Sequence, residues 1–299
     1  MSQIHPMAAI DPGARIGADV RIGPFCHVGA DVSIDDGCIL HPHVTILGPA
    51  QIGRRNAIFP QCTIGAAPQD LKFRGGPTRV EIGDDNILRE NVTIHRGTEV
   101  DEHSGGTTRI GNRNLLMVGV HVAHDVRIAD HAILANYVQL AGHVQIEDYV
   151  NVGGHSAMHH FVTVGRFAYV GGMTRITQDT PPYMKVQGYD GAVRAVNVEG
   201  MRRWKIAPES IELMKEAFRI LFGRRAERGA GRTAEALGEV ESNGLMRDEH
   251  VRYLVDFVRR KMDTGVHGRA REQGRGDSDA DREHFYRRAD ASARAGDAE

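Results

Sequence analysis

The sequence predicts a parallel β-helix of hexapeptide repeats followed by a helical region, and three observations predict it. Aliphatic residues recur at every sixth position over two thirds of the chain. A small or β-branched residue stands four places after most of them. Aromatics make up only 6% of the residues while glycine supplies 35 of 299, a composition suited to a narrow, repetitive core.

The aliphatic series runs Ile4, Ile10, Ile16, Ile22, Val28, Ile34, Leu40, Ile46, Ile52, Ile58, Ile64. It resumes at Ile82, Leu88 and Ile94, and again at Ile110, ending at Ile176. Of these 26 positions 25 are Ile, Leu or Val, the other being Met158. Neither a helical period of 3.6 nor plain alternation produces that pattern. The second series includes Ala8, Ala14, Val20, Val32, Val44, Val120, Val126, Ala132 and Val138. Hexads grouped in threes describe a triangular coil of short parallel strands, stacked at the usual strand spacing of about 4.8 Å. The aliphatic points inward and the small residue fits a corner. Glycine often follows the aliphatic, as at Gly17, Gly23, Gly53, Gly83 and Gly111, where a strained turn is expected to need it. Cys26, Cys38 and Cys62 all fall on the small position and read as core residues, because their spacing matches no zinc pattern.

Two polar, Gly-rich breaks, 65–81 and 97–109, are expected to project as loops. On a solenoid such insertions tend to decorate a binding face. The prolines of DTPPY (179–183) are expected to end the coil, within a β-helical domain over 1–190. A helix is predicted from Pro208, with Ile211, Met214, Phe218, Leu221 and Phe222 at helical spacing. A second is predicted over 247–262 with Val251, Leu254, Val255 and Val258 on one side, and 223–232 reads as a connector or frayed helix. A C-terminal helical domain over 191–262 follows. Residues 263–299 are polar and charged and are expected to form a disordered tail.

Charge and hydropathy narrow the function classes. No apolar run reaches membrane-spanning length, so no integral membrane segment is expected. The start carries no secretory signal, and a cytoplasmic protein is the default. The net charge of −2 argues against nucleic acid as a partner. Residues 200–262 carry 14 basic and 10 acidic side chains, net +4, whereas 1–199 carry 16 and 20, net −4. The basic block is where an acidic partner would dock, with Arg202, Lys205, Arg219, Arg224 and Arg225 as candidates.

Sixteen histidines are present, and clustering separates the functional from the solvated. With three hexads per coil, His124, Gly142 and His160 take equivalent places on successive coils, and Asp125 stacks on His143. His121 and His159 fall on the same flank. A carboxylate beside His124 suggests an oriented imidazole, which is what a general base working near neutral pH requires. No Ser or Cys nucleophile motif accompanies it, so direct transfer to an acceptor hydroxyl is the simpler chemistry. A coil face is nearly flat, and a deep site is expected between the subunits of a homo-oligomer.

The strings that carry these residues resemble the bacterial left-handed β-helix acyltransferases. Within them they are most similar to the acyl carrier protein-dependent UDP-N-acetylglucosamine O-acyltransferase family. The matching strings include IGPFC (22–26), QDLK (69–72), PTRVEIGDDN (77–86), ENVTIHRGT (90–98), HVAHD (121–125), LAGHV (140–144), QDTPPY (178–183) and NVEGMRR (197–203). The resemblance implies an all-β left-handed parallel β-helix with a C-terminal α-helical domain, assembled as a homotrimer. It implies transfer of an (R)-3-hydroxyacyl group from acyl carrier protein to the 3-hydroxyl of UDP-N-acetylglucosamine, the first step of lipid A biosynthesis, without cofactor or metal. It implies His124 as general base, with Asp125 beside it, and the Gly142 N–H as oxyanion donor. Gln69, Asp70 and Lys72 fall on or beside sugar-contacting positions. His121, His143, His159 and His160 line the cleft, and Gly172 limits acyl length. Asn197, Glu199 and Arg203 match nucleotide or diphosphate contacts from the neighbouring subunit. Two positions depart from the family pattern: His160, usually Gln, and Trp204, usually basic. Another β-helix acyltransferase, or a zinc hydratase like the γ-type carbonic anhydrases, stays open as an alternative on the histidine count.

Overall fold

The structure is a computed structural model that describes residues 2–99, 105–223, 230–264, 268 and 271. The described strands form three sheets of 11, 9 and 8 strands, which are the three faces of a left-handed parallel β-helix. On each face a strand pairs in parallel with the one a coil away, aliphatic beside aliphatic. Ile22, Leu40, Ile58 and Leu88 align on the first face. Val28, Ile46, Ile64, Ile94 and Val122 align on the second. Ile34, Ile52, Ile82, Ile110 and Ile128 align on the third. All of these are at most 3% exposed. Each contributes roughly 1.5–3 kcal/mol by leaving water, and the repeat restates that gain on every rung. The first positions are an exception to the inward expectation. Ile4 is 45% exposed and Ile10 and Ile16 are half-buried, because no coil lies below the first one to cover them.

The corners differ from the sequence expectation. The left-handed backbone falls three residues after the aliphatic and is mostly carried by residues other than glycine, including Asp19, Phe25, His43, Asp125 and His143, with φ between 54° and 64°. The glycine right after the aliphatic serves a different purpose. A Cβ at Gly17, Gly23, Gly53, Gly83 or Gly111 would come within 2.3–2.9 Å of the next coil, so glycine is there for close approach. Cys26, Cys38 and Cys62 are buried and unbridged, and their thiols donate to carbonyl oxygens at 2.9–3.1 Å. Burial pushes the Cys62 thiol up to about 12. At three small positions the chain places Asn56, Asn86 and Asn114, at most 1% exposed. Their side chains satisfy one another and the adjoining backbone as a buried ladder.

The prolines of DTPPY do not end the coil. Val164 bridges Thr180, and Met184–Gln187 adds a further parallel rung, with Val170 beside Val186. Pro182 takes the hexad position of Pro24, Pro42 and Pro60, just before a residue of positive φ, here Tyr183. Away from the two loops that position gives its N–H to no backbone carbonyl of the coil, only in places to a side chain of a neighbouring coil, as Arg54 does to Asp84 and Asn112 to Asp130, so a proline there breaks no rung of the backbone ladder. The chain then reverses, and Ala192–Val196 pairs antiparallel with Met184–Gln187.

Among the described residues four α-helices follow: α1 (Val198–Arg203), α2 (Pro208–Phe222), α3 (Ala230–Ser242) and α4 (Glu249–Thr264). Helices α2 and α4 appear where periodicity predicts them, burying Ile211 and Met214, and Val251, Leu254, Val255 and Val258. Helix α1 was not foreseen. Helix α3 begins within 223–232, the stretch read as a connector or frayed helix, and runs beyond it, where Leu237 and Val240 find apolar cover. Around the third–first corner Tyr253 donates to Glu147, and the Arg166 guanidinium lies 3.6 Å above the Tyr253 ring. Arg224 and Arg225 lie outside the described residues, as does most of the predicted tail. Arg271 is described, and its guanidinium pairs with Asp179 at 2.9 Å. No described helix is long and apolar enough to cross a membrane.

Candidate active site

Both breaks in the repeat leave the coil at the same edge. The first joins Thr63–Ala66 of the second face to Arg79–Ile82 of the third, and the second joins Thr93–His95 to Thr107–Ile110. On the next three coils that second–third corner carries His124, Gly142 and His160, the column that the repeat phase predicts. Two loops and one imidazole-rich edge thus stand in line along the coil axis.

His124 lies at the centre, 7% exposed in its side chain. Its Nδ1 is 2.9 Å from Asp125 Oδ2. A carboxylate accepts, so Nδ1 donates, and the lone pair sits on Nε2. That nitrogen faces Asp70, whose Oδ2 is 3.7 Å away, too far for a direct hydrogen bond. Asp70 is aimed by its own turn, in which Oδ1 accepts the Lys72 N–H at 2.9 Å. The His124 ring lies against Gly142, where a Cβ would be 2.4–2.5 Å from the ring atoms. The Gly142 N–H donates to no described residue, in keeping with the hexad position that elsewhere takes proline.

The other imidazoles surround this pair. His143 stands edge-on to His124 at 5.1 Å between centroids, with Nε2 3.7 Å from Asp125 Oδ2, and it stacks on Phe161 at 4.5 Å. His160 is 6.5 Å from His124 and 5.2 Å from His159. His121 Nδ1 meets the Thr93 hydroxyl at 2.7 Å. Burial, and secondly the neighbouring His124, hold the His121 imidazole below its ordinary value. His95, buried edge-on to His121 at 5.1 Å, is pushed down to about 4 by burial and its imidazole neighbours. It is neutral at any physiological pH. The sequence reading did not single out His95 or Thr98. Their signal was present in the string IHRGT, which sits one coil before HVAHD in the same phase.

Gln69 is exposed at the tip of the first loop, and the loop itself is anchored. Phe73 is 4% exposed, and the Arg96 guanidinium lies 5.7 Å from its ring while donating to Gly48 and Gly65 carbonyl oxygens at 2.9 and 3.3 Å. Phe73→Ala is therefore expected to loosen the loop without melting the coil. Limited proteolysis within residues 67–78 should speed up about tenfold, with the main thermal transition moved by only a few degrees. Cleavage at the wild-type rate would show that the ring does not anchor the loop.

The remaining predicted residues lie elsewhere on the same chain. Gly172 is exposed on the first–second corner, where a Cβ would meet only Gly154 O at 3.3 Å and Gly154 N at 3.8 Å. Asn197 is buried at the third–first corner, where it caps α1 by accepting the Gly200 N–H and donates to Phe167 O. Glu199 and Arg203 are exposed on α1, 4.0 Å apart. Trp204 is 44% exposed and packs on Tyr149 and His131 at 4.4 and 5.0 Å. Within one chain none of these reaches His124. A separate groove of about 710 Å³ runs along the third face, but its ion pairs, Arg79 and Arg109 on Glu81, are already made.

The donor atoms of His124, Asp125 and His143 lie within 4.8 Å of one another, near enough to share a cation. The hydrogen bonds already made to Asp125 describe an oriented base instead. A buried imidazole with a carboxylate behind it, an open nitrogen in front and a backbone N–H alongside can accept a proton from a hydroxyl and stabilise an oxyanion.

Known proteins resemble this chain in sequence and fold. Residues 179–267 match the family model described as Udp N-acetylglucosamine O-acyltransferase, domain 2, and residues 13–48 match the bacterial transferase hexapeptide (six repeats). An acyl-[acyl-carrier-protein]–UDP-N-acetylglucosamine O-acyltransferase of Saccharophagus degradans is 47% identical over 224 residues, covering 75% of this chain and 86% of the relative. The structure of LpxA from Acinetobacter baumannii superposes with a TM-score of 0.80 at 38% identity, over 86% of this chain and 96% of that one. That of LpxA, a UDP-N-acetylglucosamine acyltransferase from Bacteroides fragilis, does so at 0.80 and 39%, over 86% and 97%.

Proposed function

This chain belongs to the acyl-[acyl-carrier-protein]–UDP-N-acetylglucosamine O-acyltransferase family, and from that premise we propose the chemistry of its site. The enzyme moves an (R)-3-hydroxyacyl group from acyl carrier protein to the 3-hydroxyl of UDP-N-acetylglucosamine, in the cytoplasm, as the first step of lipid A biosynthesis. His124 Nε2 takes the hydroxyl proton as that oxygen attacks the thioester carbonyl. The carbonyl oxygen gathers negative charge and is met by the Gly142 N–H. The C–S bond then breaks, and the proton on His124 passes to the leaving thiolate. No acyl-enzyme forms. The observation that carries this reading is the engagement of His124 Nδ1 by Asp125 at 2.9 Å, which leaves Nε2 turned toward Asp70 of the first loop.

In this reading Gln69, Asp70 and Lys72 hold the sugar, and His121, His143, His159 and His160 line the cleft. Asn197, Glu199 and Arg203 recognise the nucleotide diphosphate from a neighbouring subunit, because their own chain holds them on another corner. Arginine suits a diphosphate by its forked donors. A homotrimer supplies that neighbour. Supporting it, the first face presents an outward apolar ladder of Ile39, Ala57, Ile87, Leu115 and Ile133 in register. Ile87 is 43% exposed on the isolated chain, and the third face in contrast presents Gln51, Glu81, Arg109 and Arg127. Acyl carrier protein, an acidic partner, docks on the basic block that includes Arg202, Lys205 and Arg219.

The test is an assay of the purified enzyme with UDP-N-acetylglucosamine and a ladder of hydroxyacyl carrier proteins, with products read by mass. An O-acylated sugar nucleotide is expected, and its absence with every donor would overturn the reading. The same assay checks Gly172. Because the site has open space around it, Gly172→Met is expected to fold normally and shift the preferred acyl chain to a shorter one. An unchanged product profile would show that Gly172 does not measure the chain.

A further inference from the structure

We propose that Thr98 is a positioning residue for the His124–Asp125 pair, acting from the neck of the second loop, and this rests on the reading of His124 as general base. Asp125 sits on a left-handed corner, φ 61°, and its carboxylate is fully buried. Two imidazoles compete for Asp125 Oδ2. His124 Nδ1 is 2.9 Å away, and His143 Nε2 is 3.7 Å away on the coil above. Rotation of the carboxylate toward His143 would leave His124 without its orienting acceptor.

The second loop prevents that rotation. Thr98 Oγ1 donates to Oδ2 at 2.7 Å, and the Thr98 N–H bridges Oδ1 and Oδ2 at 3.0 and 3.1 Å. From the loop's returning side, Thr108 Oγ1 accepts the Asp125 N–H at 2.9 Å. Thr98 and Thr108 are both 0% exposed, so no water competes for these bonds. Gly97 lets the neck close: a Cβ there would lie 2.6 Å from Asp125 Oδ1 and 2.3 Å from the Gly106 carbonyl carbon. The loop neck is thus built around the carboxylate, and the hydroxyl of Thr98 shares its oxygen with His124. Asp70 faces the opposite side of His124, so the two loops grip the pair from front and back.

The experiment compares Thr98→Val, Thr98→Ala and Thr98→Ser in the full-length enzyme. A hydrogen bond to a charged group, once lost, corresponds to roughly a 10- to 100-fold effect. Val and Ala are expected to lower kcat by about tenfold or more, with KM for both substrates changed less than about threefold. Ser, which keeps the donor, is expected to restore kcat to within about threefold of wild type. Ala and Ser lose the same methyl, so their difference isolates the hydroxyl even where Val fails to fold. Equal kcat for Ala and Ser, or a Val enzyme within twofold of wild type, would overturn the proposal. Full turnover in a His124→Ala enzyme would instead remove the general-base reading, and a silent Thr98 beside an inactive His124→Ala enzyme would remove only this inference.

Discussion

His124→Ala is expected to give a folded protein whose kcat is lower by about a thousandfold or more. A positioned general base supplies about 10²–10⁴ in rate, and in the proposed mechanism the same imidazole also returns the proton to the leaving thiolate. Losing it therefore damages both halves of the transfer. The fold should survive because the ring contributes nothing to the aliphatic ladder: Val122 and Val126, on either side of it, carry the buried contacts. The Asp125 carboxylate keeps the Thr98 hydroxyl and N–H as donors in the variant, so it is not left without partners. Steady-state kinetics beside circular dichroism and size-exclusion chromatography measure the two expectations separately. A folded variant turning over within tenfold of wild type would remove His124 from the chemistry.

Gly142→Ala is the second large effect and the more diagnostic, because one methyl group does it. A Cβ at 142 would lie 2.4 Å from His124 Cε1 and 2.5 Å from Nε2, so the imidazole must swing off its line to Asp125. The backbone at 142 has an ordinary φ, and the same hexad position carries full side chains at His124 and His160, so the coil accepts alanine there. The three atoms nearest that Cβ all belong to the proposed base. A loss of kcat of about 10²–10³ is expected from misplaced base and crowded oxyanion donor together, with a thermal transition within a few degrees of wild type. Wild-type kcat in Gly142→Ala would mean that the ring does not work from where it lies.

The two glycines to which functional roles are proposed illustrate how far reading by residue type can go. Gly142 and Gly172 look alike in sequence, each two places after the inward aliphatic of its hexad. In space one is pressed against an imidazole and the other opens onto solvent, and only the first is intolerant of a methyl group on steric grounds. The corner glycines teach the same lesson. The repeat shows where they fall, but their reason is the closeness of the next coil, while the positive φ belongs to Asp125, His143 and their equivalents. The prolines of 181–182 misled for a related cause. Proline breaks a strand that needs its N–H, but at this hexad position, away from the loops, the N–H makes no backbone hydrogen bond, so the coil carries on through Met184–Gln187.

Sequence alone determined the coil, its phase, the burial of its aliphatics and cysteines, the two long helices and the edge shared by His124, Gly142 and His160. It could do so because each hexad is a local unit whose inward residue is chosen by its immediate neighbours, and a period repeated 26 times leaves one solution. Tertiary structure alone decided that both loops leave by that same edge, that Asp70 faces His124 from the front while Thr98 holds Asp125 from behind, and that Asn197 and Arg203 sit on another corner. Those are distances between segments joined by loops without a repeat, and the length of a loop does not say which way it folds.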